Sequence, residues 1–167
     1  MRKLLIGIAF FFLSSVAYPA TYSLSVSDAY SNDGSWAPLP STNLSANDGL
    51  VVSASSAYSS TPLLGNLSGP AEAPLVNSAY TLNVIASGNY GNSYLRIELW
   101  SDGNFVTSLT LYDELNGDLN QFSHVLSTFE VGQIVDIWAM SVIVVAGNYK
   151  YESAVNVDWI ELNVVEP

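Results

Sequence analysis

Apolar and polar residues alternate with a period of two along most of this chain. That is the pattern of strands with one face on a core and the other toward solvent. Tyr22–Val26, Leu50–Ala57, Tyr80–Ala86 and Phe122–Leu126 are short runs of this kind, and Ile134–Val145 is a longer apolar one. No segment carries the 3.6-residue period of a long amphipathic helix. Between the runs lie Asp28–Asp48, rich in Ser, Pro, Asn and Gly, and Ser59–Pro74, with three prolines and two glycines. Both read as connections without strands.

The clearest unit is SYLRIELWSDGNFVTSLTLY, where two alternating runs flank Asp102-Gly103. That dipeptide favours the positive φ angles of a tight hairpin turn. Leu95, Ile97 and Leu99 line one face of the first strand, and Tyr94, Arg96, Glu98 and Trp100 line the other. On the return strand the alternation places Phe105, Leu109 and Leu111 inward, with Val106, Ser108, Thr110 and Tyr112 outward. The last run, AVNVDWIELNVV, puts Ile160, Leu162 and Val164 on its core face, and Asp158 shares that face. About eight strands, no repeat and no long helix predict an all-β fold, a two-sheet antiparallel β-sandwich of jelly-roll type.

The N-terminus changes the picture of where this sandwich works. Arg2 and Lys3 precede the apolar run Leu4–Leu13, which is too short to span a bilayer. Ser15 and Ala17 then supply small residues at the −3 and −1 positions of a cleavage site. Residues 1–17 read as an export signal, with cleavage after Ala20 as the alternative, and 18–167 as a single domain. The chain has no cysteine, so its stability does not depend on disulfides. An exported bacterial protein, secreted or periplasmic, fits that composition.

The formal net charge is −11. Without the signal, only Arg96 and Lys150 remain against fifteen acidic residues, a charge of −13. Such a chain has no electrostatic footprint for nucleic acid and is repelled by anionic lipid. No membrane insertion is expected after signal removal. Solubility accounts for the charge, and clustered carboxylates binding a divalent cation are the sharper reading.

Catalytic chemistry has few candidates. The one histidine, His124, alternates with Phe122 and Leu126 and reads as a half-buried strand residue. Carboxylates such as Glu98 and Glu161 are the groups glycoside hydrolysis uses, at separations of about 5–9.5 Å that the sequence does not fix. Arg96-Ile97-Glu98-Leu99, Gln133-Ile134-Val135 and Asn148-Tyr149-Lys150-Tyr151 are loosely similar to motifs of jelly-roll alginate lyases. Val135 stands where that family has its catalytic histidine, which sets the lyase reading aside.

A second resemblance runs from Tyr80 to Val164. Tyr80-Thr-Leu-Asn-Val84, the Tyr94–Leu99 strand with its hairpin, Val131-Gly132-Gln133 and Val157-Asp158-Trp159-Ile160-Glu161-Leu162 follow one another in the order of a galactose-binding-domain-like jelly roll. That order resembles carbohydrate-binding modules and exported bacterial proteins of the PEP-CTERM type. In several such modules, an acidic residue opening the last strand helps to hold a structural calcium beside the N-terminal segment. The resemblance implies Asp158 as that ligand, with Asp28 and Asp33 as further oxygen donors of the type calcium takes. The alternative is that Asp158 accepts backbone N–H groups without metal.

A glycan site is the other implication. Sugar recognition stacks aromatic rings on pyranose faces and uses planar polar side chains for hydroxyls, in a mostly preformed cleft. Tyr94, Arg96, Glu98 and Trp100 share a strand face, and Tyr112 lies across from them. Trp36, Tyr90 and Tyr149 are loop aromatics that form a second set. The leading expectation is a secreted, non-catalytic carbohydrate-binding protein of lectin type. A structural or matrix protein of the envelope without a defined small ligand is the alternative, and a polysaccharide-degrading enzyme a weaker third. Oligomeric state is not legible.

Overall fold

The computed structural model describes residues 19–31, 36–37, 42–54, 62–69, 74, 77–88, 93–112, 114–148 and 154–167. The N-terminal segment expected as a signal, and Asp33, Tyr90 and Tyr149, lie outside the described residues. Ten strands are present among the described residues: β1 (Thr21–Ser31), β2 (Trp36–Ala37), β3 (Val52–Ala54), β4 (Leu63–Ser68), β5 (Ala79–Ser87), β6 (Ser93–Ser101), β7 (Asn104–Leu111), β8 (Asn120–Val125), β9 (Met140–Asn148) and β10 (Val155–Val165). Two single-turn helices, α1 (Thr42–Ser45) and α2 (Thr128–Val131), and a 3₁₀ turn at Ile137–Ala139 complete them.

All pairings are antiparallel, and they form the two sheets of a β-sandwich. One sheet runs β8–β5–β10, with β3 and the first half of β1 side by side along the far edge of β10. The other runs from the second half of β1 through β4, β9 and β6 to β7. β1 therefore belongs to both, and Ser25 pairs with Glu161 in the first sheet and Ser68 in the second. A register shift between Val26 and Asp28 leaves Ser27 outside the ladder. A bulge of this kind reverses which face later residues occupy. Leu24 and Val26 are buried, whereas Asp28 and Tyr30 emerge on the outer face.

The core is what the alternation dictates. Leu82, Val84, Ile160 and Leu162 from one sheet meet Leu95, Ile97, Leu99 and Val144 from the other, all essentially inaccessible. Each such side chain stabilises the fold by about 1.5–3 kcal/mol relative to exposure. The Asp102-Gly103 turn forms as expected, with φ of 47° and 75° at the two residues. Both are positive, as a turn matching the strand twist requires.

Four expectations need correction. Asp28–Asp48 is not free of strands: β1 runs on to Ser31, and β2 and α1 lie within it. Ser59–Pro74 is not wholly a connection: it contains β4, a central strand between β1 and β9. Gly65 sits in that strand because a Cβ there would approach Val26 and Val142 side chains at 3.2 Å. The apolar run from Ile134 becomes a strand only at Met140. Before it, the Ser101 hydroxyl accepts the N–H groups of Val135 and Asp136 at 3.0 and 2.9 Å, and Asp136 caps the 3₁₀ turn at Trp138 N. Those bonds satisfy the backbone locally and end the extended path. Finally, the β6–β7 register shifts at Leu99/Trp100, so Phe105 turns outward and Val106 is buried.

Candidate functional site

Cross-strand pairing sets the outer face of the β1–β4–β9–β6–β7 sheet. One row runs Asp28, Asn66, Ser141, Trp100 and Phe105 across the five strands. The next runs Tyr30, Leu64, Ile143, Glu98 and Ser108. Directly opposed residues have Cβ atoms about 4.5–5.5 Å apart, so each row is a line of touching side chains. Arg96 follows between Val145 and Thr110, and Tyr94 reaches Tyr112 with ring centroids 6.3 Å apart.

Five residues expected to share a face therefore do share one: Tyr94, Arg96, Glu98, Trp100 and Tyr112. Glu98 ties two of them, Arg96 and Trp100, together. Its Oε2 accepts the indole N–H of Trp100 at 3.1 Å, and its Oε1 pairs with Arg96 Nε at 3.0 Å. The pair is open to water, so it adds little stability. Its consequence is geometric: the indole is held in one orientation and the carboxylate is neutralised. Phe105 packs edge-on to the indole at 5.6 Å between centroids.

A hollow of about 300 Å³ opens beside Trp100. Tyr30, Leu64, Asn66, Trp100, Ser141 and Ile143 line it. Tyr30 is 50% exposed and stands on β1, three strands away from Trp100. The hollow thus has an aromatic ring at each side, an apolar floor and an amide and a hydroxyl. Tyr30 and Phe105 escape sequence reasoning because both owe their direction to bulges, which leave no period-two signal.

Trp36, expected as a loop aromatic available to ligand, is corrected. It is 1% exposed, on β2, and its ring is part of the hydrophobic core. A ring buried on all sides has no face to stack.

The candidate catalytic groups fall into two arrangements. Glu98 is on the outer face of one sheet. Glu161 is bonded by the Ser23 hydroxyl and lies opposite Asn83, on the outer face of the other. Both sheets stand between the two carboxylates, and they cannot flank one glycosidic bond. His124 joins a different cluster at the sandwich edge, where β7 meets β8 and α2. His124 Nε2 lies 3.0 Å from Glu130 Oε1 and 3.1 Å from Thr107 Oγ1, and the Thr107 hydroxyl also donates to Glu130 Oε1. In a nucleophile relay the carboxylate and the hydroxyl use opposite ring nitrogens. Here both crowd the same nitrogen, so the carboxylate competes with the hydroxyl rather than activating it.

Glu130 is instead a clasp. Its Oε2 accepts from the Ser127 N–H at 2.6 Å and the Ser127 hydroxyl at 2.7 Å, completing a capping box for α2. The Thr107 hydroxyl first, and then the Ser127 N–H, hold its carboxyl down at about 2.

Asp158 lies at a bulge in β10 between Val157 and Trp159 and is 1% exposed. Its Oδ1 accepts the Gly49 N–H at 3.1 Å. Gly49, at φ 79°, takes a backbone conformation that favours glycine and presents that amide inward. Oδ2 has no hydrogen-bond partner. Burial pushes the carboxyl up, the Gly49 N–H opposes this, and the Asp48 charge adds to the rise. Asp28 is exposed on the outer face opposite Asn66, apart from this loop. Among the described residues no group of three or more His, Cys, Asp or Glu could hold a metal ion. No helix among them is long and apolar enough to cross a membrane.

No family model matches the chain, and no curated protein matches it. Solved structures do. One is the carbohydrate-binding module TmCBM61 in complex with β-1,4-galactotriose, at 16% identity and TM-score 0.47, over 80% of this chain and 85% of that one. Another is the CBM36-1 domain of a multidomain xylanase from the hindgut metagenome of Trinervitermes trinervoides, at 9% identity and TM-score 0.43, over 87% and 96%. A third is the Stig cyclase Fisc from Fischerella sp. TAU, at 13% identity and TM-score 0.46, over 89% and 76%. The chemistry is left to this chain's own residues.

Proposed function

We propose that the protein is an exported, non-catalytic carbohydrate-binding β-sandwich whose ligand lies on the outer face of the β1–β4–β9–β6–β7 sheet. The observation that carries this reading is the hollow between Tyr30 and Trp100, with Asn66 and Ser141 in its wall. A pyranose has an apolar face and a rim of hydroxyls, and this hollow offers rings, an apolar floor and short polar groups in matching places. The Glu98 bond to the indole holds Trp100 ready before the ligand arrives, which lowers the ordering cost of binding. The test is calorimetric titration with a panel of soluble neutral polysaccharides. Binding that Trp100→Ala and Tyr30→Ala both weaken supports the reading, and binding indifferent to both places the site elsewhere.

Calcium at Asp158 is a separate proposal, favoured by one observation: a buried carboxylate oxygen, Oδ2, that no group bonds. The Gly49 N–H on Oδ1, with the Asp48 and Leu50 backbone amides that also lower this carboxyl, supports the metal-free alternative.

A further inference from the structure

A second hollow, of about 440 Å³, lies past the edge strand β7. Phe105, Ser108, Ser127, Phe129 and Glu130 are among the residues that line it. It meets the first hollow at the Trp100–Phe105 pair, since Trp100 belongs to one, Phe105 to the other, and their rings touch. Phe129 is 77% exposed and Phe105 47%. A phenyl ring mostly in water on a single-turn helix buries little apolar surface for the fold.

That ring is nonetheless firmly carried. The capping box between Ser127 and Glu130 fixes the turn of α2, and the same Glu130 is bonded to Thr107 on β7 and His124 on β8. The clasp uses both carboxylate oxygens, so Glu130 is a fastening rather than a ligand contact. Phe129, one residue before it, is thereby carried in the lining of the same hollow as Phe105. Aromatic residues therefore continue from Tyr30 through Trp100 and Phe105 to Phe129, across the strands.

Resting on the carbohydrate-binding reading above, we infer that the two hollows are consecutive subsites for one extended glycan chain, with Phe129 as the outer platform. Strands are spaced about 4.8 Å apart, so β1 to β7 alone spans roughly 19 Å. Several sugar units are needed to cover that span, and the Phe129 hollow extends it further. The ligand class is a linear polysaccharide engaged along its length, not a monosaccharide or a chain end. Ser108 supplies a hydroxyl at the second subsite.

The experiment takes the neutral polysaccharide that binds best in the panel and cuts it into a series from disaccharide to octasaccharide. Affinity for the full-length protein is measured by calorimetry for wild type, Phe129→Ala and Trp100→Ala. Phe129 is outside the clasp and the core, so its replacement leaves the melting temperature unchanged. The expected result is an affinity that climbs with length and then levels. Phe129→Ala loses roughly tenfold, about 1.4 kcal/mol, on the longest oligomers only. Trp100→Ala loses affinity at every length. Flat affinity across the series, or a Phe129→Ala variant equal to wild type on octasaccharide, overturns the inference while leaving the Trp100 site standing. Failure of every polysaccharide in the panel to bind overturns the carbohydrate reading and this inference with it.

Discussion

Trp100 and Phe105 face each other directly across the β6–β7 hairpin, rings edge-on at 5.6 Å, because the ladder slips by one residue beside them. Without that slip, Phe105 would point into the core with Leu109 and Leu111. The slip moves a large ring to the surface beside an indole whose N–H is already committed to Glu98. A local irregularity in backbone pairing thus builds the central aromatic wall of the proposed site.

Removing the indole should cost binding before it costs folding. Trp100 is only partly buried and sits on the outer face. Trp100→Ala should weaken glycan binding at least tenfold, about 1.4 kcal/mol or more. Trp100→Phe keeps a ring but loses the N–H bond to Glu98, and should fall between the two. Calorimetry gives the affinities and thermal melting the stability. A large drop in melting temperature with unchanged affinity would make Trp100 a structural residue.

Charge predicts the ligand's chemistry. With a formal net charge of −11 for the chain, and with Arg96 already paired to Glu98, the face does not attract anions. Neutral polysaccharides should bind more tightly than uronate or sulfated ones of the same linkage in low salt. The gap should narrow toward 0.1 M and above, where screening acts over about 10 Å. Tight binding of a uronate polymer that weakens with added salt would instead make Arg96 the anchor.

How much of this was legible follows from what period-two patterning can carry. Leu95, Ile97 and Leu99 against Tyr94, Arg96, Glu98 and Trp100 is a clean alternation, and the structure keeps it residue for residue. The Asp102-Gly103 turn is equally local. Bulges break the method. Tyr30 follows a shift at Ser27, and Phe105 follows one opposite Leu99, so each lies on the face that simple counting denies it. β4 was masked by Pro62 and Gly65, residues that break strands on average but are tolerated here at its start and at a close approach to Val26 and Val142. Trp36 shows the converse error: a loop-like sequence context says nothing about burial. Ser127-x-x-Glu130 is a legible capping-box signature that marks the start of α2 and so its exposed Phe129.

Acid should loosen the edge clasp. The Glu130 carboxyl is held at about 2 in the fold against 4.5 for the free group. A lowered folded value means stability that is fully present above pH 4.5 and lost as pH falls toward 2. Glu130→Gln should remove this part of the acid dependence and destabilise at neutral pH, where the Ser127 N–H and the Thr107 hydroxyl lose a charged acceptor. Denaturant titrations of both proteins between pH 2 and 7 make the comparison. Parallel pH profiles would mean the clasp contributes nothing by ionisation.

Asp158 should behave with the opposite sign. Its carboxyl is raised above 3.8 in the fold, chiefly by burial. A raised acid binds its proton more strongly folded than unfolded, so its contribution favours the fold most below pH 3.8 and declines as pH rises through the folded value. Asp158→Asn keeps an oxygen for the Gly49 N–H and carries no charge, so it should flatten this part of the profile. Asp158→Ala leaves the Gly49 donor unpaired and should cost about 1–3 kcal/mol at any pH. Calcium separates the two readings of this residue. If Oδ2 holds the ion, a hundredfold excess over Kd stabilises the native state by about 2.7 kcal/mol. Melting in chelator and in millimolar calcium should then differ by several degrees for wild type and not for Asp158→Asn. A wild-type melting temperature indifferent to calcium, together with a flattened pH profile in Asp158→Asn, would make Asp158 a metal-free acceptor of the Gly49 amide.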